Sequence, residues 1–139
     1  MIKMLRRINI VTVIFALTGG VAIAQVLPVV SVSPTSLTFS SQAIGSMSAA
    51  RTIVIKNSGL GALRISAILI TGAHSAEFSS TNDCSASIDR NGACTVSIKF
   101  SPSLTGSRSA TLEIRSNTAT KTVSLRSAPR GAARNKKRR

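Results

Sequence analysis

The stretch Cys84-Ser-Ala-Ser-Ile-Asp-Arg-Asn-Gly-Ala-Cys94 holds the only two cysteines of the chain. Thiols at this spacing admit three chemistries: a metal clamp, a redox pair or a covalent staple. A zinc site needs two further thiolate or imidazole ligands, and the chain offers one histidine, His74, with scattered carboxylates. A redox pair more typically takes the form C-x-x-C beside a helix N-terminus, where the thiolate is stabilised. Nine intervening residues do not supply that geometry. A disulfide suits the even count and the turn signal Asp89-Arg90-Asn91-Gly92, a hairpin sequence that would bring its flanks together. Closing so short a loop contributes about 2.5 to 3 kcal/mol in the chain-entropy model. Cys84 and Cys94 are therefore expected to form a disulfide, with free or intermolecular cysteines as the remaining alternative.

His74 lies close to Glu77 in a serine-rich chain, which invites a Ser-His-acid reading. Such a site needs its three groups converging beside an oxyanion hole, and no G-x-S-x-G pattern marks any serine as a nucleophile. The four acidic residues Glu77, Asp83, Asp89 and Glu113 form no evident acid/base pair. Gly59-Leu60-Gly61 lacks the helix context of a phosphate cradle. The residues thus point to an exposed loop histidine in a non-enzymatic protein, with no cofactor, no metal and no small-molecule substrate expected.

What must position these groups is a set of short strands. From Val29 onward, apolar runs alternate with turn signals at the spacing of an all-β sandwich. Val-Val-Ser-Val-Ser between Pro28 and Pro34, followed by Leu37 to Phe39, suits one edge strand in two segments. Ile53 and Ile55 share a face; Asn57 to Gly61 should then supply the positive-φ residues of a turn before a strand over Leu63 to Thr71. Gly72 to Ser87 reads as a long connection with a short strand or turn, pinned to the core by Phe78. Val96, Ile98 and Phe100 line one face of the next strand, Ala110, Leu112 and Ile114 that of another, and Lys121 to Leu125 is the last candidate. Counting the split first strand once, this predicts about seven strands and an immunoglobulin-like antiparallel β-sandwich in a single domain over residues 25–125. With no Trp or Tyr and four Phe, Val, Ile, Leu and Ala must fill its interior.

Both ends of the chain read differently. Residues 1–24 combine Lys3, Arg6 and Arg7, an apolar run from Ile8 to Leu17 and the small-residue ending Ala22-Ile23-Ala24, the layout of a secretory signal cleaved before Gln25. An uncleaved membrane anchor is the alternative. The net charge of +14 is uneven: the first 24 residues carry three cations, and Arg126, Arg130, Arg134, Lys136, Lys137, Arg138 and Arg139 carry seven, leaving +4 between them. Residues 126–139, without apolar periodicity, should form a disordered basic tail. The tail reads first as a solvated or non-selected extension; its functional reading is an arm for acidic lipid, envelope polysaccharide or nucleic acid.

Taken together, VSPTSLTFSSQAIGSMSAARTIVIKNSGLGALRISAILITGAHSAEFS and NDCSASIDRNGACTVSIKFSPSLTGSRSATLEI resemble the bacterial immunoglobulin-like domains called choice-of-anchor D. These are related to the ASPM, SPD-2, Hydin (ASH) and major-sperm-protein-like group, and the likeness covers about Val32 to Leu125. It implies a sandwich serving as an interaction or surface module. Where relatives tend to end in Gly-x-Gly, this chain reads VSLRSAPRG, so its last strand is expected to be short and a neighbouring edge open. The whole points to an exported, periplasmic or extracellular module whose partner is another protein or an envelope component, with the tail offering a contact to an anionic polymer or membrane surface.

Overall fold

Alternation between apolar and polar residues decides which side chains face inward, because successive strand residues point to opposite faces of a sheet. The computed structural model describes residues 25–129 and realises that alternation in nine strands: β1 Val30–Ser33, β2 Ser36–Phe39, β3 Arg51–Asn57, β4 Leu63–Thr71, β5 Phe78–Asn82, β6 Ser87–Ile88, β7 Ala93–Phe100, β8 Ser109–Ser116 and β9 Lys121–Ser127. One 3-10 turn, Ser75–Glu77, precedes β5. The first sheet has the order β1-β3-β7-β5 and the second β2-β9-β8-β4-β6. Pairing is antiparallel except between β2 and β9, which run parallel.

Ile53, Ile55, Val96 and Ile98 of the first sheet meet Leu63, Leu112, Ile114, Val123 and Leu125 of the second, all fully buried. Each contributes on the order of 1.5 to 3 kcal/mol by leaving water. The three phenylalanines among the described residues gather at one end of this core: Phe78 and Phe100 have ring centroids 4.9 Å apart, and Phe39 lies 5.8 and 5.9 Å from them. Phe78 thus pins its connection to the core, as its isolation in a polar stretch implied.

Nine strands replace the expected seven for two reasons. Val30–Ser33 and Ser36–Phe39 are not two pieces of one edge; they are the edges of opposite sheets, pairing with β3 and β9 respectively. The chain crosses between sheets at Pro34, whose preceding peptide bond is cis. The long connection after Gly72 also holds two strands, β5 and β6, in different sheets. The last strand is not shortened: β9 runs through Ser127 and lies between β2 and β8, so its pairing leaves no edge open there. The sandwich accordingly continues past residue 125. Arg126, expected in the disordered tail, is an exposed strand residue paired with Ser109 and Thr38. The expected signal, residues 1–24, and Arg130, Arg134, Lys136, Lys137, Arg138 and Arg139 lie outside the described residues.

Candidate functional site

Cys84 and Cys94 are joined, with Cα atoms 4.9 Å apart. The strand register explains why. In the β5–β7 ladder Phe78 faces Phe100 and Asn82 faces Val96, so two residues further on Cys84 falls opposite Cys94. Asp83 N–H donates to Thr95 O at 3.2 Å, which makes 83/95 a bonded position and 84/94 one of the closer, non-bonded positions of an antiparallel pair. Two side chains fix the approach: Asn82 Oδ1 accepts from the Cys84 amide at 3.0 Å, and Asp83 Oδ1 accepts from the Thr95 amide at 2.6 Å.

The reason first given for that pairing, a hairpin at Asp89–Gly92, is corrected. Asn91 does adopt the left-handed conformation, φ 61°, but the strands either side of the turn belong to different sheets. β6 pairs with β4 through Leu63↔Ile88 and Arg64↔Ser87, whereas β7 pairs with β3 and β5. Residues 84–94 therefore form a strap that leaves the first sheet, adds two residues to the edge of the second and returns, with the disulfide closing its base. Asp83 lies near both sulfurs, a cluster that could suggest a metal site. The sulfurs are bonded to each other, so neither is a free thiolate, and the arrangement is a covalent clamp across the base of the strap, between neighbouring segments of the first sheet.

Beside the strap sits Asn57, whose residue type and position suggest a turn former. Asn57 is fully buried. Its Nδ2 donates to Gly61 O at 2.7 Å and Ile88 O at 3.0 Å, and its Oδ1 accepts from the amides of Gly59 at 3.0 Å and Val29 at 3.2 Å. Its backbone bonds Gly92 O and the Asn91 amide at 3.0 and 2.9 Å. The side-chain amide thus joins the segment before β1, the loop after β3 and β6, and the backbone of the same residue adds the turn before β7. The glycines of that loop are not there for positive φ, which neither shows. A Cβ at Gly59 or Gly61 would run into the backbone of Val26 to Val29; close approach is what excludes a side chain. The alternation Ile53, Ile55, Asn57 was the signal that could have revealed an inward amide.

At the opposite end, His74, expected as an exposed loop residue, is half-buried close to Glu77, yet no Ser-His-acid relay is assembled among the described residues. His74 Nδ1 accepts from the Ser109 amide at 3.1 Å. The buried Glu77 carboxylate accepts from the Ser103 amide at 3.0 Å and from the Ser103 hydroxyl. Arg108 Nε lies 3.1 Å from its other oxygen. Neither of those two atoms has an aligned hydrogen-bond partner, so charge rather than a directed bond holds them. Burial raises the Glu77 pKa, but the Ser103 hydroxyl and amide, with Arg108 and His74 behind them, outweigh it and bring the carboxyl below its ordinary value. The carboxylate acts as a latch between the turn before β5 and the loop from Ser101 to Arg108.

A two-sheet arrangement with β2 parallel to β9 and a disulfide-closed strap that reaches from one sheet to the other defines an immunoglobulin-like sandwich. The chain belongs to the HYDIN/CFA65/VesB-like, Ig-like domain family, whose model matches residues 28–128. Solved structures sharing this fold include a protein of unknown function from Porphyromonas gingivalis W83, with TM-score 0.61 and 19% identity over 78% of this chain and 50% of that one. The ASH / PapD-like domain 7 of human CEP192 gives TM-score 0.55 and 19% identity over 72% and 84%. The secreted serine protease VesC of Vibrio cholerae gives TM-score 0.51 and 13% identity over 74% of this chain and 23% of that one. This chain thus spans only half of the first of these and under a quarter of the last. No curated protein matches the sequence. The resemblance to ASH-type domains is borne out by the family match and the CEP192 domain. Domains of this type are in general non-catalytic.

Proposed function

We propose that this protein is an exported, disulfide-clamped Ig-like module of the choice-of-anchor D kind that binds or builds at the cell envelope, periplasmic or extracellular, and performs no catalysis itself. The observation that carries the reading is the Cys84–Cys94 bond across the strap, because disulfides persist in oxidising compartments and are rare in reducing ones. The apolar segment before Gln25 supports the same destination, and the partner is a protein or other envelope component. The test is the intact mass of the protein from its native cells, with and without reduction before alkylation. A mass beginning at Gln25, with both cysteines protected until reduction, upholds the reading. A full-length chain with two thiols that alkylate directly overturns it.

A second reading rests on the cations Arg126, Arg130, Arg134, Lys136, Lys137, Arg138 and Arg139. Here the sandwich is a carrier, and its end attaches to anionic lipid, polysaccharide or nucleic acid. Val26 lies beside Gly61, whereas the Ala128 amide bonds Phe39 O at the opposite end of the strands. Because β9 extends through Ser127, the informative truncation falls after Pro129. Binding to anionic vesicles or heparin should fall steeply with salt and be lost on that truncation; unchanged binding would remove the tail from the account.

A further inference from the structure

The second sheet has an unprotected stretch of edge. β6 covers only Leu63 and Arg64 of β4, and the Ile65 amide bonds Ala86 O at 3.0 Å. Among the described residues, nothing pairs with Ser66 to Thr71 on that side, and Gly72, φ 104°, then turns the chain away. The other free edges are shorter: β1 and β2 have four residues each, and β5 has five, Phe-Ser-Ser-Thr-Asn. β4 offers Ile-Ser-Ala-Ile-Leu-Ile-Thr, uncharged and without proline, which is what natural sheets avoid at an edge unless something pairs with it.

The register says which backbone groups are free. Asn117 donates to Arg64 O and His74 to Ser109 O, so the odd-numbered residues of β8 bond toward β4. Their partners, Ala67↔Arg115, Leu69↔Glu113 and Thr71↔Thr111, are therefore engaged with β8. The amides and carbonyls of Ile68 and Ile70 point outward. The same two side chains face the core but are only partly buried, because β5 across the gap presents polar Ser80 and Asn82.

We infer that this edge pairs with the same edge of a second copy of the chain, antiparallel, about a two-fold axis through Leu69. In that register Ile68 lies opposite Ile70 of the second copy on the core side. Leu69 lies opposite Leu69 of the second copy on the outer side, and Ala67 opposite Thr71 of the second copy. The two outward-pointing residues sit symmetrically about the axis, so about four hydrogen bonds form and both copies satisfy the same groups. The unpaired window holds the whole of this register, Ala67 to Thr71: β6 closes it before Ser66 and Gly72 closes it after Thr71. No charge within Ile65–Thr71 opposes the contact, and the exposed flanks of Ile68 and Ile70 are covered by their equivalents. The result is one continuous sheet across two copies. This goes beyond the envelope role and does not depend on export.

The test is sedimentation of the purified full chain over a concentration series, with Leu69→Lys and Leu69→Glu beside the wild type. Leu69 faces outward, so a charged side chain fits the monomer, and circular dichroism verifies folding. The wild type should form dimers. Each variant alone should associate at least about tenfold more weakly, since like charges would meet across the axis, and an equimolar mixture of the two should recover association. Amide exchange provides a readout without mutation: Ile68 and Ile70 should be protected in concentrated wild-type protein and exchange rapidly on dilution. A wild type that stays monomeric at all concentrations overturns the inference. So does a dimer that both charges leave unchanged, or protection at Ile68 and Ile70 that ignores dilution.

Discussion

The two ends of this sandwich are secured by opposite means. At the end where the chain enters, the core holds only aliphatic side chains, and it is closed by a neutral amide, Asn57, and the Cys84–Cys94 strap. At the end where it leaves, the three phenylalanines pack together and a buried ion pair, Glu77 with Arg108, ties the loops over them. A neutral amide bonded only to backbone is indifferent to pH and salt. A carboxylate paired with a guanidinium is not. The difference predicts two ends that fail under different conditions, and substitutions can expose each separately.

The largest effect should come from Asn57→Ala. It leaves the Val29 and Gly59 amides and the Gly61 and Ile88 carbonyls without their partner, at about 1 kcal/mol each, so about 3 to 4 kcal/mol in all. Asn57→Asp should be nearly as costly, since an oxygen then faces two carbonyls. Denaturant melts at two pH values would measure both, and a loss that varied with pH for Asn57→Ala would break the comparison. Next is removal of the strap: Cys84→Ser with Cys94→Ser should cost about 2.5 to 3 kcal/mol, read as the melting difference between oxidised wild type and the double variant. A smaller penalty, about 2 kcal/mol, is expected for Gly61→Ala, which displaces Val26 to Pro28. Limited proteolysis should then cut before β1 while the phenylalanine end stays protected.

Much of this architecture was legible because strand alternation is local. Val96, Ile98, Phe100 and Ala110, Leu112, Ile114 each announce an inward face within eight residues, and all six are buried. What stayed hidden depends on which sheet a segment joins. Nothing in Val30–Ser33 and Ser36–Phe39 says that Pro34 marks a crossing between layers, nor does Ser87-Ile88 declare itself part of a different sheet from Ala93–Phe100. The cysteine pair illustrates the point: the bond was foreseen, yet the geometry behind it is the Phe78↔Phe100 ladder extended to 84/94, not a hairpin. The role of Glu77 was not legible beside His74 because its partners, Ser103 and Arg108, lie 26 and 31 residues on, beyond any local pattern. Asn57 looked like a turn residue because the inward row Ile53, Ile55 ends on it, where a polar side chain more often marks the exit from a strand.

The smallest effect, and the one that most sharpens the contrast, lies in the ion pair. Glu77→Gln keeps a bond to Ser103 but removes the charge facing Arg108, so it should cost about 1 kcal/mol near neutrality. The sign of its pH dependence follows from the lowered carboxyl. With the folded pKa below the unfolded one, the ionised carboxylate stabilises the fold fully above the ordinary carboxylate range. That contribution is lost as pH falls through the folded value, below 4.5. Wild type and Glu77→Gln should therefore differ in melting temperature at pH 7 and converge as the solution is acidified past that point. Asn57→Ala should keep its full deficit throughout. If the Glu77→Gln deficit persisted unchanged in acid, the carboxylate would be holding its loop by shape and hydrogen bonding alone. The two ends would then be secured by the same physics after all.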